Sequence, residues 1–190
     1  MTKTYVIICE GLHNQLFSYF KIKNKALNPI CCSKARILRH NGGESTIIRN
    51  FIHLVHSKAI SSKKRILLKD DGDKTVCMDT FIELLKQGDI DYELVIILDA
   101  DSSSIRQFQK KMQMELKQNL IKINSNSYKT KNKHKIFFIP TSLEKEIENN
   151  SGKDLHRVRN PDKKKSIIKE FIRLNQPWAQ EFEDLIFCDL

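Results

Sequence analysis

Two short apolar runs in this chain each stop at an acid. Tyr5-Val6-Ile7-Ile8-Cys9 leads into Glu10-Gly11, and Leu94-Val95-Ile96-Ile97-Leu98 leads into Asp99-Ala100-Asp101. Apolar runs of this length bounded by polar residues read as buried strands, and each is followed by a pattern of helical period. Strands alternating with helices of ten to fifteen residues predict βαβ units and a largely parallel sheet with helices packed on it. The acids then fall where strands emerge from the core, at the carboxyl ends that open α/β sheets use to bind ligands.

The rest of the chain extends that pattern. Leu12, Leu16, Phe17 and Phe20 recur at helical spacing, so a helix is expected over 12–23, with Gly11 allowing the sharp turn into it. Residues 25–44 are expected to be mostly irregular with room for a short strand, and Ile47, Ile48, Phe51, Ile52 and Val55 predict a helix from Ser45. A second core strand over 65–69 leads into Asp70-Asp71-Gly72-Asp73-Lys74, followed by a helix with Cys77, Phe81, Leu84 and Leu85 inward and a stop near Gln87-Gly88. After Asp101, the residues Ile105, Phe108, Met112 and Leu116 form the clearest amphipathic pattern. A polar stretch over 124–134 precedes a last strand at 136–139, closed by Pro140. The expected architecture is an α/β domain over 1–140, with an insertion carrying a helix over about 24–64 and a central four-stranded, mostly parallel sheet flanked by helices. Residues 141–190 are expected to form a helical extension packed on it, with helices around Ile167, Ile168 and Phe171 and from Pro177.

Composition narrows the partners. The 190 residues carry a formal net charge of +10, which favours a polyanion over a small neutral substrate. Lysines gather at 62–65, at 129–135 (including Lys131, Lys133 and Lys135) and at 156–165, although a lysine-rich face can also be plain solvated surface. No apolar run approaches the roughly 20 residues of a membrane span, and no leader pattern opens the chain, so no membrane partner and a cytoplasmic location are expected. Five cysteines form no C-x-x-C pair, which argues against structural zinc. The placement of Cys9 and Cys77 within apolar patterns suits buried thiols in a reducing compartment.

The acids have competing readings. Magnesium takes one or two carboxylates and completes its shell with water and phosphate oxygens. Residues two apart on an extended strand point the same way, so Asp99 and Asp101 could aim at one cation. Asp101 also precedes Ser102-Ser103-Ser104 and a helix, where it could cap free amides instead. Asp71 and Asp73 form a rival Asp-x-Asp that reads more readily as a turn and cap. Glu144 fits a capping box over 141–144, His13 a helix surface.

The order Glu10-Gly11 after the first strand and Asp99-Ala100-Asp101 after the third resembles the Toprim domain of topoisomerases, bacterial-type primases and small nucleases, over roughly residues 1–140. Gly72-Asp73-Lys74 resembles the glycine-lysine turn of some small Toprim-like proteins and overcoming-lysogenization-defect type nucleases. The resemblance implies a Rossmannoid fold and an acidic site for Mg²⁺ or Mn²⁺, with Glu10 as general acid or base and Asp99 and Asp101 holding metal. The connection over 24–64 exceeds what a minimal Toprim core needs. The chain is too short for the separate tyrosine domain of a topoisomerase, and Tyr128 is the only tyrosine in suggestive surroundings. The expected function is therefore metal-dependent hydrolysis of DNA or RNA. Lys74 and Arg106 would offset charge at the phosphate, with Arg106 alternatively pairing with Asp99, and Lys131, Lys133 and Lys135 would add backbone affinity. The rival reading is a non-catalytic nucleic-acid-binding module on the same scaffold. No G-x-x-x-x-G-K-[ST] loop supports nucleotide hydrolysis of the P-loop kind.

Overall fold

A computed structural model of the chain describes residues 4–10, 29–31, 66–69, 73–88, 90, 92–101 and 103–160, with individual positions 162, 163, 166, 167, 170, 171, 181, 184 and 185. The helices expected over 12–23 and from Ser45 lie outside the described residues, as do Pro177, His13, Asp71 and Gly72, while Glu181, Asp184 and Leu185 are helical, as the helix expected from Pro177 requires.

The core is a sheet whose long strands are buried on both faces. β1 (Thr4–Cys9) and β4 (Tyr92–Asp99) pair in parallel over six residues, from Thr4 opposite Tyr92 to Cys9 opposite Ile97. Along β1, Val6 and Ile8 join one core cluster while Tyr5, Ile7 and Cys9 on the other face are equally sealed from solvent. This two-sided burial is why both runs are continuously apolar instead of alternating. β3 (Ile66–Lys69) pairs in parallel with the other edge of β1, β2 (Pro29–Cys31) with β3, and β7 (Lys135–Ile139) with β4. β6 (Ser127–Lys129) and β5 (Ile121–Lys122) continue the sheet in antiparallel fashion, giving the order β2-β3-β1-β4-β7-β6-β5.

The described sheet thus has seven strands where four were expected. The three extra strands, β2, β5 and β6, are two or three residues long, so their pairing comes from neighbours already in place, and β2 is the short strand for which 25–44 had room. β6 is held partly from outside the sheet: the Glu181 carboxylate accepts from Asn126 N at 2.9 Å, Asn126 Nδ2 at 3.0 Å and Ser127 Oγ at 2.7 Å.

Helices α1 (Lys74–Lys86) and α2 (Ser104–Leu116) cover one face. Cys77, Met78, Phe81, Ile82 and Leu84 of α1 and Phe108 and Met112 of α2 pack in one cluster with Ile8, Ile96, Leu98, Ile136 and Phe138. Phe108 sits between Phe81 and Phe138, with ring centroids 5.8 and 6.4 Å away. α1 stops at Gln87, and Gly88 follows with φ of 85°, a left-handed turn open to glycine. A third helix, α3 (Leu143–Ser151), is capped by Ser142, whose hydroxyl accepts from Lys145 N at 3.3 Å. The capping box expected over 141–144 is therefore one residue out of register, and Thr141 Oγ1 instead donates to Glu146 at 3.0 Å. Ile147, Leu155, Ile167, Phe171 and Leu185 are buried, so residues beyond 140 contribute to the core, and Ile167 and Phe171 are helical as expected. Among the described residues no helix is long and apolar enough to cross a membrane.

Candidate functional site

From β1 the chain runs to the edge strand β2 and back to β3 on one side, then crosses to β4 and β7 on the other. The strand order reverses between β1 and β4. Such a switch point leaves a crevice outside the carboxyl ends, because the connections on either side turn away from it. Glu10 directly follows β1 and Asp99 ends β4, so the two acids flank this crevice on neighbouring strands. Cys9 is opposite Ile97, which sets Glu10 beside Leu98 and Asp99 one residue further out. Side chains alternate along strands, so Glu10 continues the face of Leu98 and Asp99 that of Ile97. Both residues are half-buried there, and one Glu10 carboxylate oxygen is sealed from solvent. Ala100 N donates to Ile139 O at 2.8 Å, which keeps β4 paired with β7 past Asp99.

Asp101 does not continue that extended geometry. Its Oδ1 accepts from Ser104 N at 3.0 Å and from the Ser104 hydroxyl, so it caps α2. Its Oδ2 takes the Lys74 ammonium, which also donates to Ser104 Oγ at 2.8 Å. The ammonium and the Ser104 bonds hold the Asp101 carboxyl at about 2, below its usual 3.8. The expectation that Asp99 and Asp101 aim together at one cation is corrected accordingly: the serines after Asp101 start a helix at once, and its unpaired amides claim the nearer carboxylate. The Lys74–Asp101–Ser104 cluster was missed in the sequence. Its signal was a lysine at the first helical position after one strand and an aspartate just after the next.

The remaining candidates separate by position. Asp73 is the N-cap of α1, its Oδ1 accepting from Val76 N at 3.0 Å, which fits the cap reading of the second Asp-x-Asp. Arg106 is exposed in the first turn of α2 and, among the described residues, forms no ion pair, so it does not pair with Asp99. Tyr128 is 8% exposed, its ring edge-on to Phe138 at 5.7 Å, which removes it as a nucleophile. Glu144 lies in the first turn of α3.

The basic segment is at the wrong end of the sheet for the acids. Lys135 begins β7 opposite Val95, whereas Asp99 is opposite Ile139, four residues further along. That spacing is about 13 Å. Lys131 and Lys133, in the turn before β7, are further still and exposed. Lys135 is corrected outright as a nucleic-acid contact. It is 9% exposed, pairs with Glu93 at 3.0 Å, donates to Leu185 O at 2.5 Å and lies 5.7 Å from the Tyr5 ring centroid.

Among the described residues no group of three or more histidine, cysteine, aspartate or glutamate side chains stands ready to hold a metal. Glu10 and Asp99 end neighbouring strands on opposite faces of the sheet, so a hard cation shared by both would have to sit beyond the strand tips, with waters and phosphate oxygens completing its shell. Cys9 and Cys77 are buried outside any disulfide. No protein-family model, curated protein or solved structure matches the chain.

Proposed function

We propose that this chain is a divalent-metal-dependent nuclease with a Toprim-like Rossmannoid core over 1–140 and a helical extension over 141–190, hydrolysing phosphodiester bonds of DNA or RNA at the β1/β4 crevice. The observation that carries the reading is that Glu10 and Asp99 end neighbouring parallel strands where the strand order reverses. The net charge of +10 favours a polyanionic substrate.

A Mg²⁺ or Mn²⁺ ion held by Asp99 and Glu10 would supply positive charge to the phosphate and a polarised water. Glu10 serves as a ligand or takes the proton of the attacking water. Asp101 is a positioning residue: it fixes the Lys74 ammonium and the start of α2, and so sets where Lys74 and Arg106 meet the substrate. In assays with linear and circular DNA and with RNA, cleavage requires Mg²⁺ or Mn²⁺. Asp99→Asn and Glu10→Gln each lower it by roughly 100-fold or more. Cleavage that survives both substitutions overturns the proposal.

One observation favours the second reading, a non-catalytic nucleic-acid-binding module. The Lys74 ammonium already neutralises Asp101, as a cation otherwise would. That reading requires salt-sensitive binding with no metal-dependent turnover.

A further inference from the structure

We infer that the chain binds a nucleoside phosphate at a second site, in a cavity of about 470 Å³ at the amino end of the parallel strands, away from the acidic crevice. The floor of this cavity is the buried Glu93–Lys135 pair, fixed at 3.0 Å and tied to Leu185 O. On its rim stand Lys129, at the end of β6, and Lys133, in the turn into β7. Among the described residues neither of these two ammoniums has a hydrogen-bond or ion-pair partner. Lys129 and Lys133 are held on the same rim by the turn itself, in which Thr130 N donates to His134 O at 2.8 Å and Lys133 N to Thr130 O at 3.2 Å. Two lysines on one rim, neither of them paired with an acid among the described residues, make a receptor for an anion, and two ammoniums suit a phosphate.

A bare anion would leave most of this space empty, since the volume falls in the range of pockets for small organic ligands. The rest of the lining is not basic. Ile123, 41% exposed, and Leu185 offer an apolar wall for a flat ring. The exposed Asp184 lies on the same lining, and its carboxylate can accept from sugar hydroxyls or an exocyclic amine. Phosphate, hydroxyl donors and a ring together describe a nucleoside monophosphate, whether free or at the end of a strand.

The test is calorimetric titration of the full chain in EDTA with a nucleoside monophosphate, the parent nucleoside and inorganic phosphate. The nucleotide binds at least tenfold more tightly than either fragment. Lys129→Ala and Lys133→Asn each weaken it roughly tenfold. Asparagine is chosen at 133 because the backbone there has φ of 71°, which asparagine tolerates better than alanine. Lys131→Ala, an exposed lysine of the same turn outside the cavity, leaves binding unchanged. Equal binding of phosphate and nucleotide overturns the inference, and so does a loss with Lys131→Ala matching that of its neighbours. Weakening by Asp99→Asn also overturns it, because the nucleotide would then sit in the crevice. Competition separates the two sources: displacement by a 5′-phosphorylated oligonucleotide assigns the site to strand ends, and failure to displace assigns it to free nucleotides.

Discussion

Both oxygens of the Asp101 carboxylate are taken up within the fold, one by the amide and hydroxyl of Ser104 and one by Lys74. Because its carboxyl sits at about 2 in place of 3.8, its contribution to stability is complete above about pH 3.8 and is lost as the pH falls toward 2. The side chain is 53% exposed, so solvent screens the pair and the contribution stays below about 1 kcal/mol. Urea unfolding at pH 5 and pH 2.5 checks this. Wild type loses more stability between the two than Asp101→Asn, and equal losses would contradict the assignment. His134 carries the same sign at higher pH. Its Nδ1 accepts from Leu94 N at 3.1 Å, and burial pushes the imidazole below its usual 6.5, with Glu93 pulling the other way. Its contribution is therefore complete above pH 6.5 and falls away below it. Replacement by asparagine flattens the stability profile between pH 7 and pH 5, whereas an unchanged slope would remove His134 from the account. The capping half of the Asp101 role was legible from the serines that follow it, but its pair with Lys74, 27 positions away, and the His134 bond to Leu94, 40 away, were not. The position of Asp99 at a strand end was legible, because an acid after five apolar residues marks where a buried strand stops.

The same difference separates the elements. β1, β4 and α2 announce themselves, the strands by unbroken apolar runs and α2 by Ile105, Phe108, Met112 and Leu116 at spacings of three and four. β5 and β6 do not, since Ile-Lys and Ser-Tyr-Lys have no period to read and become strands only by pairing beside β7. Elements of the first kind have their stability in packing. Phe108→Ala, which empties the space between Phe81 and Phe138, costs about 3–5 kcal/mol in urea unfolding. Lys135 illustrates the limit of charge pattern: within a run of lysines it reads as surface, yet its register opposite Val95 turns it into the interior beside Glu93. Lys135→Ala removes an ion-pair partner of a buried carboxylate and costs about 3–5 kcal/mol, while Lys135→Met with Glu93→Leu recovers most of that loss. A double replacement no more stable than the single one would show that the pair is not the source.

At the scale of the whole sheet, Glu10 and Asp99 lie at one end and the exposed lysines of the turn between β6 and β7 at the other, a separation that a list of charged segments cannot reveal. Four paired residues of β4 and β7 put about 13 Å between the level of Asp99 and that of Lys135, and the turn bearing Lys131 and Lys133 lies beyond. A dinucleotide bound at the crevice is too short to span that distance and still keep its phosphate between Glu10 and Asp99. Only charges at the carboxyl end can then steer it, and among the described residues Arg106, exposed in the first turn of α2, is one such charge. Under the nuclease reading, Arg106→Glu lowers kcat/KM for a dinucleotide by roughly tenfold or more, since it replaces an attraction to the phosphate with a repulsion. Lys131→Glu leaves that value unchanged. With a long duplex both substitutions weaken binding and both reduce its dependence on salt, because a long polyanion reaches both ends of the sheet. Equal effects of the two reversals on the dinucleotide would mean that the substrate lies along the turn at the amino end, and the crevice between β1 and β4 would lose its claim to the chemistry.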